Sequence, residues 1–218
     1  MEKLKILLGC LFFSIAVAAQ EAPFYEDIQL FKEQDKQKPP PKGAILFVGS
    51  SSFTNWTDVS KYFPGYTIIN RGFGGSSLPD LLRYENEIIF PYQPKQVVIY
   101  CGENDFAAAD TVQTETVVAS FIQLFTDIRR KLPKASIVFV SIKPSPIRRQ
   151  LQAKIIAANQ QISQFLSTQP KAVFINVYDK MLAPDGSMMS AIYLSDSLHM
   201  NASGYAIWKK AIEPSLMH

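Results

Sequence analysis

The chain is poor in the residues that build metal centres and disulfide scaffolds. Its 218 residues include two cysteines and two histidines. Cys10 falls in an apolar leader, which leaves Cys101 alone in the rest of the chain. A lone cysteine closes no internal disulfide, so the fold has to stand on its core. The histidines are His199 and the terminal His218. Zinc centres made of His and Cys need four protein ligands, or three plus water, and this inventory almost excludes them. Charge of one sign is also scarce, with a net +3 at pH 7. No basic run is interleaved with aromatics, which argues against a nucleic-acid partner. Internal repeats and low-complexity stretches are absent.

What is present is enough apolar material for one well-filled domain, 47% of residues against 19% charged. Lys3 and Lys5 precede an apolar run, Ile6 to Ala19, that ends in small residues (Ala16, Ala18, Ala19). This predicts a signal peptide over 1–19, cut after Ala18 or Ala19, and an exported protein, periplasmic or extracellular. The run is short for a bilayer span, so no stable membrane insertion is expected after cleavage. An uncleaved anchor is one alternative. A lipoprotein signal at Leu7-Leu8-Gly9-Cys10 is another, although most of the apolar run follows that cysteine. Residues 20–43 read as a polar, proline-rich lead-in, with a short helix over Phe24–Gln37 ended by Pro39-Pro40-Pro41. The domain proper is expected over 44–218.

Within that domain two patterns alternate. Continuous apolar runs of strand length occur at Ala44–Val48, Tyr66–Ile69, Gln96–Tyr100, Ser136–Ser141 and Ala172–Val177. Runs of this kind suit strands buried on both faces. Helical spacing occurs at Leu78–Ile89, Thr114–Leu132, Arg148–Ser167 and Ala202–Ala211. The alternation predicts an α/β fold, a three-layer α/β/α sandwich with about five parallel strands and helices on both faces.

Ligands of such sheets bind beyond the carboxyl ends of the strands. The segments expected there are Gly49-Ser50-Ser51-Ser52, Asn70 to Ser76, Gly102-Glu103-Asn104-Asp105, Lys143-Pro144-Ser145-Pro146 and, late in the chain, Asp196-Ser197-Leu198-His199. Together they hold the parts for acyl transfer. A serine hydroxyl attacks a carbonyl only when a base takes its proton, and His199 is the one histidine inside the folded region. Asp196, three residues earlier, can fix the imidazole tautomer. The oxyanion needs donors, which backbone N–H groups of the Gly74-Gly75 turn and the Asn104 amide can offer.

The blocks FVGSSS, NRGFGGSS, GEND and DSLH, in this order, resemble the SGNH hydrolases, or GDSL esterase/lipase family, over roughly Gly43 to Met217. The likeness is greatest to the branch with platelet-activating-factor acetylhydrolase-like and carbohydrate-esterase-like members. It implies a flavodoxin-like sheet and a serine esterase needing no metal or cofactor. It also implies Ser51 as nucleophile, Asp196 and His199 as its partners, and the oxyanion held by Ser51, Gly75 and Asn104. One position departs from the family pattern, since Ser50 stands where the family has aspartate. That leaves Ser50 and Ser52 as rival nucleophiles. The substrate implied is a short-chain acyl ester, acetyl above all, on a small molecule or a carbohydrate. Oligomeric state stays open.

Each piece also has a plainer reading. Serines after a strand cap helices, glycine pairs make turns, and Cys101 suits the end of a buried strand. A Cys101 nucleophile paired with His199 is a rival arrangement. Arg148 and Arg149 suit a solvated helix start, although their proline-rich loop could reach over a pocket. Phe53, Trp56 and Phe73 serve equally as core or as the lining of an acyl or sugar site. At the level of the whole chain, the alternatives are a flavodoxin-like electron carrier, a non-catalytic carbohydrate-binding pseudoenzyme and a lysophospholipase-like lipid acylhydrolase.

Overall fold

Five short apolar strands line up in parallel at the centre of the molecule. The computed structural model describes residues 22–218. The leader over 1–19, including Cys10, therefore lies outside the described residues. The strands are β1 (Ile45–Gly49), β2 (Ile68–Gly72), β3 (Gln96–Tyr100), β4 (Ser136–Val140) and β5 (Ala172–Ile175), in the order β2-β1-β3-β4-β5. All four pairings are parallel. The central strands β1 and β3 are buried along their whole length, whereas β2 and β5, at the two edges, are only partly so.

Side chains alternate across a strand, and here the alternation divides two cores. Leu46, Val48, Val97, Ile99, Ile137 and Phe139 face one way. There they meet α1 (Tyr25–Gln37), α4 (Leu78–Ile88), α6 (Thr114–Lys131) and α7 (Gln152–Ser167). Ile45, Phe47, Val98, Tyr100, Val138 and Val140 face the other way. On that side lie the single turns α2 (Ser51–Thr54) and α3 (Val59–Tyr62) and the helix α8 (Ala202–Ile212). A further short helix, α5 (Glu103–Ala108), follows β3. The expected α/β/α sandwich is the observed fold.

The expected boundaries shift where local polar contacts extend or cut an element. β2 continues through Asn70-Arg71-Gly72, because these residues pair with Phe47-Val48-Gly49 of β1. The helix expected from Arg148 begins at Gln152; Pro146–Leu151 forms 3-10 turns, with Arg148 at a kink. Helix α1 lies against the domain, with Ile28 in the first core and Asp35 bound to Arg71 and Tyr92 of the body.

Candidate active site

The three serines after β1 have different environments. Gly49 ends the strand at φ +148, and a Cβ there would lie 1.8 Å from the Tyr100 carbonyl oxygen. Only glycine lets β1 and β3 approach this closely before the chain turns into α2. Ser50 and Ser52 are buried at 4% and 3% exposure. The Ser50 carbonyl accepts from the N–H groups of Phe53 and Thr54, and the Ser52 carbonyl accepts from the Tyr205 hydroxyl of α8. Ser51 is part-exposed and heads α2, so its N–H lies outside the helical ladder. Its Oγ stands 3.1 Å from Nε2 of His199.

His199 comes from a closed turn. Its carbonyl accepts from the Leu194 N–H at 2.7 Å, and Tyr193 bridges Met200. Inside the turn, Asp196 Oδ1 accepts from the Leu198 and His199 N–H groups, both at 2.9 Å, while Oδ2 lies 2.6 Å from Nδ1 of His199. Ser197 takes a left-handed backbone, φ +54, to permit this. The two backbone N–H groups and the imidazole hold the Asp196 carboxyl down at about 2. It therefore stays an anion and fixes the Nδ1–H tautomer, leaving Nε2 free to accept from Ser51.

Two more predicted residues belong to the glycine turn beside Ser51 or bind it. A Cβ on Gly74 would lie 4.0 Å from that of Ser51, so the glycine turn passes beside the hydroxyl. Gly75 has φ +86, and its N–H makes no hydrogen bond among the described residues. The turn is pinned to β1 by the Phe73 N–H and the Ser76 hydroxyl, both on the Gly49 carbonyl. Asn104, in α5, donates from Nδ2 to the Ser76 carbonyl at 3.0 Å. An amide nitrogen carries two hydrogens, so one remains to donate elsewhere.

The rivals fare differently. Cys101 is fully buried, its Sγ near the Ser76 carbonyl, and burial pushes the thiol well above its ordinary range. It has neither the exposure nor the ionisation of a nucleophile. Phe53, Trp56 and Phe73 are packed in the cores rather than lining the rim. Arg148 is not the solvated helix start its sequence suggests, since Nη1 donates to Asn104 Oδ1 at 3.0 Å and lies 3.4 Å from Glu103 Oε1. Nothing in the sequence pointed to that contact beyond a proline-rich loop at a strand end. A groove of about 580 Å³ between α7 and β5 contains none of these residues. The serine and imidazole are partly exposed. Among the described residues no three His, Cys, Asp or Glu side chains cluster as metal ligands, and no helix is long and apolar enough to cross a membrane.

A serine, an imidazole and a carboxylate in hydrogen-bonded series, beside a glycine turn and an amide, define an acyl-transfer type of site on a doubly wound sheet. Comparison with known proteins agrees. The model of the GDSL-like Lipase/Acylhydrolase family matches residues 43–207. The chain belongs to this family and is a carboxylic ester hydrolase by class. It is 27% identical over 177 residues to the platelet-activating factor acetylhydrolase IB subunit beta homolog of Drosophila melanogaster, covering 78% of this chain and 74% of that one. A GDSL-like lipase from Bacteroides thetaiotaomicron superposes with TM-score 0.75 at 21% identity, over 86% of this chain and 96% of that one. An acetylxylan esterase from Geobacillus stearothermophilus superposes with TM-score 0.65 at 15% identity, over 82% and 95%. At these identities the two structures show the shared fold.

Proposed function

We propose that the protein is an exported serine esterase that releases short acyl groups, chiefly acetyl, from small-molecule or carbohydrate esters. The observation that carries the reading is the series Ser51 Oγ to His199 Nε2 at 3.1 Å and His199 Nδ1 to Asp196 Oδ2 at 2.6 Å. Ser51 Oγ attacks the ester carbonyl as His199 Nε2 takes its proton, and Asp196 stabilises the imidazolium. The oxyanion is held by the N–H groups of Ser51 and Gly75 and by Asn104 Nδ2–H. His199 returns the proton to the leaving alcohol, giving the acyl-serine. Water, deprotonated by the same imidazole, then releases the carboxylic acid and restores Ser51.

The acetyl preference is supported by the names of two of the similar proteins, an acetylhydrolase and an acetylxylan esterase. Export is supported by the basic and apolar leader of residues 1–19.

The test is hydrolysis of para-nitrophenyl esters of increasing chain length by the wild type and by Ser51→Ala. Turnover is expected to be greatest on acetate and to vanish in the variant while its circular dichroism stays native. A folded Ser51→Ala protein that retains near-normal turnover would refute the assignment. Preference for long chains would replace it with a lipid acylhydrolase.

A further inference from the structure

The two ends of an asparagine amide are nearly isosteric but opposite in function, one donating and the other accepting. A donor to an oxyanion works only if something fixes which end faces the substrate. In Asn104 two contacts do so. Nδ2 donates to the Ser76 carbonyl and Oδ1 accepts from Arg148 Nη1, each at 3.0 Å. A flipped amide would set Oδ1 against a carbonyl and Nδ2 against a guanidinium.

Arg148 is itself held from below. Glu103 Oε1 has no hydrogen-bond partner among the described residues, and the Arg148 guanidinium is the charge that faces it, at 3.4 Å. The other oxygen, Oε2, accepts from Lys143 Nζ at 2.8 Å and from the Tyr100 hydroxyl at 2.9 Å. Lys143 also reaches Ser145 Oγ. The Lys143 and Glu103 side chains are 1% and 5% exposed, whereas Arg148, at 19%, is the more exposed and reaches from Glu103 to Asn104. Burial raises the Glu103 carboxyl, but the charges of Lys143 and Arg148 outweigh it and hold it below its ordinary value, so it remains an anion. The backbone carries the arrangement further, since the Ile147 N–H donates to the Ser197 carbonyl in the turn that bears Asp196 and His199.

We infer that Arg148 is a positioning residue for the oxyanion donor. Anchored on the buried Glu103–Lys143 pair, it fixes the Asn104 amide with a free N–H toward the oxyanion. By donating to Oδ1 it also polarises the amide and strengthens that N–H as a donor. The inference rests on the esterase reading above and adds a residue to it.

The experiment measures kcat and KM on a short-chain ester for the wild type, Arg148→Met, Arg148→Lys, Asn104→Ala and the double variant Asn104→Ala/Arg148→Met. Arg148→Met should lower kcat by about 10- to 100-fold with little change in KM, as expected for an interaction that matters mainly in the transition state. Arg148→Lys should also be impaired, because an ammonium lacks the planar fork. Guanidinium at low, non-denaturing concentration should restore part of the kcat of Arg148→Met and none to the double variant. The double variant should be no slower than Asn104→Ala, because Arg148 acts through that amide.

Normal kcat in folded Arg148→Met, or losses that multiply in the double variant, would overturn the inference. If Arg148→Met does not fold, Arg148→Lys decides: wild-type kcat overturns it, and a loss that disappears on the Asn104→Ala background supports it. A wild type that hydrolyses no ester fails the functional reading itself. An active wild type with an indifferent Arg148 fails this inference alone.

Discussion

Asn104 and Asp196 show how single groups acquire roles from their neighbours. The Asn104 amide is one of three candidate oxyanion donors, and losing one such donor costs roughly 10²–10³ in rate. Asn104→Ala should therefore lower kcat by that factor and leave KM nearly unchanged, and steady-state kinetics on an acetate ester will show it. Asp196 makes a separate prediction. Its carboxyl is held at about 2, first by the His199 and Leu198 N–H groups and then by the imidazole. It is an anion at any pH well above that value, so the acid limb of the rate profile is not set by this carboxyl. Asp196→Asn keeps an acceptor for the backbone N–H groups but loses the charge that fixes the tautomer, and kcat should fall by about 10²–10⁴. A pH–rate profile of this variant with wild-type rates would show that the carboxylate is not used.

Among the elements, α1 is the helix expected over Phe24–Gln37, but its packing against the domain is not evident from its polar sequence. The polar stretch before Pro39-Pro40-Pro41 reads as a lead-in, yet Ile28 is buried at 1% exposure in the first core and Asp35 binds Arg71 and Tyr92. Ile28→Ala removes buried methyl groups and leaves a void, so it should destabilise the protein by about 2–5 kcal/mol. A urea midpoint unchanged by this substitution would mean that α1 contributes nothing to folding. The five strands were legible because uninterrupted apolar runs such as Gln96–Tyr100 have few other uses. The ends of elements were not. β2 runs on through Asn70-Arg71-Gly72 because β1 supplies pairing partners, and no local signal announces that. The site was legible as four short blocks carrying serine, glycine, amide and histidine. Arg148 was illegible because its partner Asn104 lies 44 residues earlier, and side chains that meet across loops have no periodicity to read.

For the molecule as a whole, Asp105 sets a pH dependence. The side chain is buried and accepts from the Leu78 N–H at the start of α4 through both oxygens. Burial lifts its carboxyl from 3.8 to about 6. Below about pH 4 the folded and unfolded chains both keep this proton, and its contribution to stability is complete. Between about pH 4 and 6 the unfolded chain releases the proton first, so stability falls as pH rises. Above pH 6 the whole contribution, about 3 kcal/mol at roughly 1.4 kcal/mol per pKa unit, has been lost. Asp105→Asn keeps an acceptor and cannot ionise. Urea midpoints at pH 4 and pH 7 should therefore decline less in the variant than in the wild type. Equal declines would show that Asp105 carries no such penalty.

The bond between Ser51 and His199 spans 148 residues, from the end of the first strand to the turn before the last long helix. On the ribosome Ser51 emerges 148 residues before His199. A nascent or truncated chain that stops before His199 cannot hydrolyse an ester by this route, so turnover reports that the two ends of this span have met in the folded domain.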